Sequence, residues 1–136
     1  MSILKIDYTR PTASPRAGAL RIAALIALIA YLGLLIYLSL VPTVPSAADV
    51  SDKALHFMAY GGLTALAAAA FPRLHLITLF IAASLVGVFL EIGQGVSNMG
   101  RMASFADQIA NMGGALLALS IWAVLMWLRA KIFKTA

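Results

Sequence analysis

The chain contains no cysteine. A disulfide framework and a thiolate metal site are therefore excluded, and the redox compartment is left open. Charge is almost as scarce. Charged residues make up 11% of the 136 positions, against about 25% in an ordinary soluble domain. Acids are the rarer sign, with five Asp and Glu against ten Lys and Arg. A soluble core of this size needs a polar surface, and this sequence has too few polar residues to build one. No glycine-rich phosphate loop, nucleophile elbow or internal repeat is present, and no metal motif such as two His at i, i+4 around a Glu.

What is present is apolar. Hydrophobic residues are 62% of the chain, and the mean hydropathy is +0.96. The length suggests one domain. Four apolar runs stand out, at about Ile22 to Val41, Ala54 to Phe71, Leu74 to Val96 and Phe105 to Leu128. Each is about long enough to cross a hydrocarbon core of roughly 30 Å at about 1.5 Å per residue. In lipid the backbone must satisfy its own hydrogen bonds, so helices are expected. Pro42 and Pro45 end the first run, Pro72 separates the second from the third, and Ser97-Asn98-Met99-Gly100 is a turn cluster. The expected fold is all-α, a bundle of four transmembrane helices. Trp122, Trp127, Tyr31 and Tyr37 read as packing or interfacial residues.

Charge placement sets the orientation. Lys5, Arg10, Arg16 and Arg21 precede the first run, Arg73 separates the second from the third, and Arg129, Lys131 and Lys134 follow the fourth. All eight fall on one side, with Asp7 as its only acid. The other side carries Asp49, Asp52, Glu91 and Asp107 with Lys53 and Arg101. Basic residues mark the cytoplasmic side, so both termini are expected there. Bases that flank apolar runs rather than forming a patch also argue against nucleic acid. Residues 1–17 read as a mobile cytoplasmic tail, 18–130 as the four-helix membrane domain and 131–136 as a short basic cytoplasmic tail. The start of the chain, with Pro45-Ser46-Ala47-Ala48-Asp49, also has the pattern of a cleaved signal peptide, but its apolar run is longer than the usual 7–15 residues.

The outward side gathers the motifs. Asp52, His56 and Tyr60 at i, i+4, i+8 share one stripe of the second helix. Glu91 and Gln94 lie near the outer end of the third, with Gly87 one turn deeper to permit close approach. Asp107 and Asn111 open the fourth, with Gly114 continuing the stripe, and Arg101 lies on the short link before them. Ionisable groups in spans avoid lipid and face the bundle interior or a water-filled cavity. His56, Glu91, Arg101 and Asp107 are therefore expected to converge on one outward-opening pocket. Ser104-x-x-Asp107 also fits a capping box, and Ser51 with Asp52 a second helix cap. Lys53 and Arg101 have a bland reading as counter-charges to these acids, and His75 as an interfacial residue. His56 and Glu91 cap nothing, and an ionisable group at mid-span costs roughly 2.5–3.5 kcal/mol, less near the interface.

Asp52-Lys53-x-x-His56-Phe57-x-x-Tyr60, Glu91-x-x-Gln94 and Arg101-x-x-Ser104-x-x-Asp107-x-x-x-Asn111-x-x-Gly114, in that order, resemble the VanZ-like family of bacterial membrane proteins. The resemblance covers nearly the whole chain, including Ser39 at the end of the first helix, with no departure at the motif positions. It implies a four-helix protein of the bacterial inner (cytoplasmic) membrane. The family's name comes from an accessory factor linked to teicoplanin resistance, and some members carry phosphotransbutyrylase annotations.

Three functions fit. The first is an envelope protein whose polar pocket binds a lipid head group or amphipathic molecule, through Asp52, Lys53, His56, Tyr60, Glu91, Gln94, Arg101, Asp107 and Asn111. Four acids against two bases disfavour a simple anion pocket unless a divalent cation bridges. The second is an enzyme acting on a lipid head group, with His56 as general acid/base beside Glu91 and Asp107, and Arg101 holding phosphate. The third is a helix-packing subunit of a larger complex. The expected partners are membrane lipids, with a homo-oligomer or membrane-protein partner compatible; no cofactor or metal is expected.

Overall fold

The computed structural model describes residues 15–41, 51–96 and 103–134, with side chains from 18 to 132 within those ranges. Four helices account for nearly all of them: α1 Pro15–Leu40, α2 Asp52–Ala70, α3 Leu76–Val96 and α4 Phe105–Lys134. Arg101, Asp49 and the turn cluster 97–100 lie outside the described residues.

Local chemistry sets the helix ends. Pro15 opens α1, a position where its missing N–H costs nothing. The helix thus starts inside the segment read from sequence as a tail. It stops at Leu40, ahead of Pro42, whose ring disfavours helical backbone in the residue before it. Ser51, in extended conformation, caps α2 by accepting from the Ala54 N–H at 3.2 Å. The Phe71 N–H closes that helix on Ala67 O at 2.8 Å just before Pro72. The helix α4 runs past the expected Leu128 to Lys134, through residues read from sequence as a basic tail. There Lys131 Nζ lies 4.1 Å from the Trp127 ring centroid one turn back, a cation–π contact suited to an interface.

Three stretches are long and apolar enough to cross a membrane: Gly18–Leu40, Leu76–Val96 and Phe105–Ile132. This is the pattern of a multi-pass membrane protein. The expected second span is not among them. Lys53, His56, Tyr60 and the Gly61-Gly62 pair lower the apolarity of α2. Packing accounts for that composition, because α2 takes part in the two most extensive helix contacts, with α4 and with α1, and also touches α3. A helix shielded by protein needs less apolar surface of its own.

The burial pattern is inverted relative to a soluble bundle. On α3 the inner stripe is Leu79, Ala83, Gly87, Glu91 and Gln94. Its outer stripe, Ile77, Ile81, Leu85, Phe89, Ile92 and Val96, is exposed and wholly apolar. Polar residues inside and apolar residues outside suit a lipid surroundings.

Two apolar clusters fix the directions. Leu35 of α1 packs on Tyr60 and Leu63 of α2, with Val86 of α3 alongside. Ala68 of α2, Leu79 of α3 and Leu119 of α4 meet towards the other end. With Gly114 of α4 against Phe57 and Gly61 of α2, α2 and α4 therefore run parallel, and α3 runs against both. Glycines let α2 and α4 approach closely. A Cβ built on Gly114 would overlap the Phe57 backbone carbonyl and come to 3.0 Å from Gly61 N. On the other face of α2, a Cβ on Gly62 would lie 2.8 Å from the Tyr31 hydroxyl, which donates to Ala59 O at 3.1 Å.

Candidate functional site

The site lies where the N-termini of α2 and α4 meet the C-terminal turn of α3. Ser104 is the N-cap of α4, and its Oγ accepts from the Asp107 N–H at 3.3 Å. In a full capping box the Asp107 carboxylate would reach back to the Ser104 N–H. It does not. That N–H donates instead to Glu91 Oε2 at 2.8 Å, across from α3. The capping box read from sequence is thus half made within α4 and completed by another helix. A carboxylate at a helix N-terminus is favoured by the dipole, and the Asp107 side chain is left free to turn inward.

His56 stands at the centre. Its Nδ1 lies 3.1 Å from Asn111 Oδ1 and 4.0 Å from Glu91 Oε1. Its Nε2 lies 3.8 Å from Asp52 Oδ2 and 4.0 Å from Asp107 Oδ2. Three carboxylates from three helices therefore surround one imidazole. Because an amide oxygen only accepts, Nδ1 carries the proton and donates to Asn111. Nε2 is left facing the two Asp carboxylates beyond hydrogen-bond distance. Asn111 is almost wholly buried, at 1% exposure, and its amide nitrogen lies 3.5 Å from Gln108 Oε1. The Gln108 amide in turn donates to Ser84 O at 3.1 Å. A Cβ on Gly87 would lie 2.5 Å from Gln108 Oε1 and 3.2 Å from Asn111 Nδ2, so this network depends on a glycine there.

The convergence expected from helical phase is present for His56, Glu91, Asp107 and Asn111. Arg101, expected as the counter-charge, lies outside the described residues. Gln94 is buried on the same stripe as Glu91. Tyr60 is buried against α1, one turn inside His56. Lys53 is exposed and forms no ion pair with the cluster among the described residues. Gln108 and Ser84 were not singled out from sequence. The signal for Gln108 was a polar residue inside the apolar run, one turn after Ser104. Ser84 takes part through its backbone oxygen, which leaves no mark in a sequence. The sequence also shows no metal-ligand spacing, yet ligating atoms of Asp52, His56 and Asp107 lie within 4.8 Å of one another.

A cleft of about 460 Å³ between α1 and α2 leads to this cluster. Leu34, Leu35, Leu38, Met58 and Ala59 are among its walls, and Asp52, His56 and Ser39 also line it. The arrangement can hold a positive charge between carboxylates, move a proton at His56 Nε2, or seat a molecule with a polar end and an apolar body. Compared with known proteins, the chain matches no family model, no curated protein and no solved structure.

Proposed function

We propose that this is a VanZ-like protein of the bacterial inner membrane, and that its polar cluster binds the head group of a lipid or other amphipathic molecule at the outer face. It would cross the bilayer four times with both termini cytoplasmic. Support for α2 as the fourth span comes from its course beside α4 and against α3. Support for the orientation comes from the eight-to-two split of basic residues in the sequence, with Arg21, Arg73, Arg129 and Lys131 of the described residues at the end away from the cluster.

The observation that carries the reading is the cleft between α1 and α2. Its volume of about 460 Å³ falls in the range of roughly 300–1,000 Å³ typical of ligand sites. Apolar walls with charged and hydroxyl groups suit a hydrocarbon chain with its head group at Asp52, His56 and Ser39. A merely structural cluster would be closed and dry, so a cleft reaching His56 favours a ligand. Sequestering or shielding an amphiphile at the outer leaflet would lower susceptibility to envelope-targeting agents of the glycopeptide (teicoplanin) type.

One contact favours an enzymatic alternative. A histidine oriented by Asn111, with Nε2 towards Asp107, has the layout of a general acid/base acting on a head group. In that case His56, Glu91 and Asp107 would carry the chemistry.

Amphiphiles retained by the protein through mild detergent purification test the reading, identified by mass spectrometry. Ala59→Trp places an indole in the cleft one turn inside His56. The wild type is expected to retain a stoichiometric amphiphile that Ala59→Trp loses at unchanged helix content. Equal retention by the two proteins, or none by the wild type, overturns the reading. Turnover of the retained species, abolished in His56→Ala, would move the function to the enzymatic alternative.

A further inference from the structure

We infer that Asp52, His56 and Asp107 form a binding site for one divalent transition-metal cation of the Zn²⁺ or Mn²⁺ type, with Asn111 as its positioning residue. The donor set is one imidazole nitrogen and two carboxylate oxygens, from two helices whose N-termini lie side by side. Imidazole suits Zn²⁺ and its neighbours, carboxylate suits Mn²⁺ and Mg²⁺, and the mixture selects a first-row divalent ion over Ca²⁺. Ligands at about 2.0–2.2 Å from a tetrahedral centre are spaced roughly 3.3–3.6 Å apart. The Nε2 to Oδ2 distances of 3.8 and 4.0 Å lie a few tenths of an ångström beyond that spacing. The Asp52 side chain, at 65% exposure, is free to rotate and close the gap, whereas the His56 and Asp107 side chains are held at 15% and 13%.

Two further observations point to a cation. The first is the tautomer. Donation from Nδ1 to the buried Asn111 carbonyl oxygen places the neutral ring's lone pair on Nε2, towards the two Asp oxygens. Three electron-rich atoms facing one another repel unless something positive lies between them. A metal-bound histidine characteristically donates its second ring N–H to an oxygen that fixes the ring, which is the part Asn111 takes. The second is Glu91. Its carboxylate is nine-tenths buried, and Oε2 accepts from the Ser104 N–H. Oε1 points at the cluster. A dication neutralises Asp52 and Asp107 and gives this buried carboxylate a positive charge to face.

The site offers three protein ligands, and Asp52 and His56 also line the α1–α2 cleft. The remaining coordination positions therefore open towards the cleft, where water or an anionic oxygen such as a phosphate would complete the shell. The inference concerns the same cluster as the amphiphile reading but does not rest on it, since cation binding is read in detergent without added lipid.

The test is titration of untagged, chelator-treated protein with Co²⁺, followed by visible absorption and by calorimetry. One Co²⁺ per chain is expected, displaceable by Zn²⁺. His56→Gln and Asp107→Asn, which keep the helix contacts, should each weaken binding at least about tenfold, and Asn111→Leu about 10–100-fold, as outer-shell partners do. A second measurement needs no variant. Mn²⁺ should broaden the ring resonances of His56 and leave sharp those of His75, the chain's other histidine, at the far end of the bundle. Absence of stoichiometric Co²⁺ binding, equal binding by the variants, or equal broadening of both histidines overturns the inference. Retained amphiphile together with no Co²⁺ binding would remove the metal and leave the amphiphile reading standing.

Discussion

His56 Nδ1 lies 3.1 Å from Asn111 Oδ1, a hydrogen bond joining two helices that run side by side, and the Asn111 amide is nearly sealed from solvent. The bond fixes both the orientation of the imidazole and the nitrogen that carries its proton.

Asn111→Leu keeps approximate size and removes the acceptor. A buried donor left unpaired costs about 1–3 kcal/mol, so unfolding in detergent should shift by that amount. Histidine ¹⁵N spectra of the wild type should show the Nδ1–H form of neutral His56. An Nε2–H form would contradict the assignment.

The contact of α2 with α4 makes a sharp comparison between glycines. Gly114→Ala forces a methyl group onto the Phe57 carbonyl, and backbone cannot yield as a flexible side chain does. Overpacking of this kind costs typically 1–3 kcal/mol or more. Gly33 on α1 has nothing within 4 Å of an added Cβ, and Ala there gains up to about 1 kcal/mol of helix propensity. Thermal melts should move in opposite directions, and equal melting of the two variants would remove Gly114 from the helix contact.

Glu91 and Ser104 predict an ordered pair of effects. Glu91→Gln keeps an oxygen for the Ser104 N–H and should be milder than Glu91→Ala, which leaves that N–H without its acceptor. Ser104→Ala removes the cap of α4 and should cost about 0.5–2 kcal/mol. Chemical unfolding with helix content as the signal ranks the three. An alanine at 91 no worse than glutamine would show that the bond contributes little.

A chain without cysteine has no background for thiol labelling. Ser46→Cys and Asn98→Cys should react in intact cells with a membrane-impermeant reagent, and Lys134→Cys only after lysis. Labelling of Lys134→Cys in intact cells would reverse the orientation.

His56 and Glu91 were legible in the sequence because an ionisable group inside an apolar run is costly and needs a compensating partner. The second helix was legible as a helix, but the run read from sequence as a span is less apolar than the other three. Its polar and glycine content is compensated by neighbours that a hydropathy profile does not see. Asp107 was legible as a member of the pocket, but its sequence left a second reading open, as a helix cap. The Ser104-x-x-Asp107 spacing fits a capping box, and only the arrival of Glu91 at the Ser104 N–H releases the aspartate. Gln108 and Ser84 escaped notice because their link forms between helices through a backbone oxygen.

The sequence by itself determined the helical class and the number and order of the four helices, though not the outer ends of the first and fourth, because run length, proline placement and charge scarcity are local properties. It also determined that the ionisable groups of its interior would gather at one end, since their depth follows from distance along each helix. Only the tertiary structure decided which of those groups touch. Contacts of 3–4 Å depend on the azimuth and closeness of packed helices, and these are set by Gly61, Gly87 and Gly114 where backbones or side-chain amides meet them. The tertiary structure likewise decided that the α1–α2 cleft reaches His56, because a cleft exists only between surfaces that fail to close on each other.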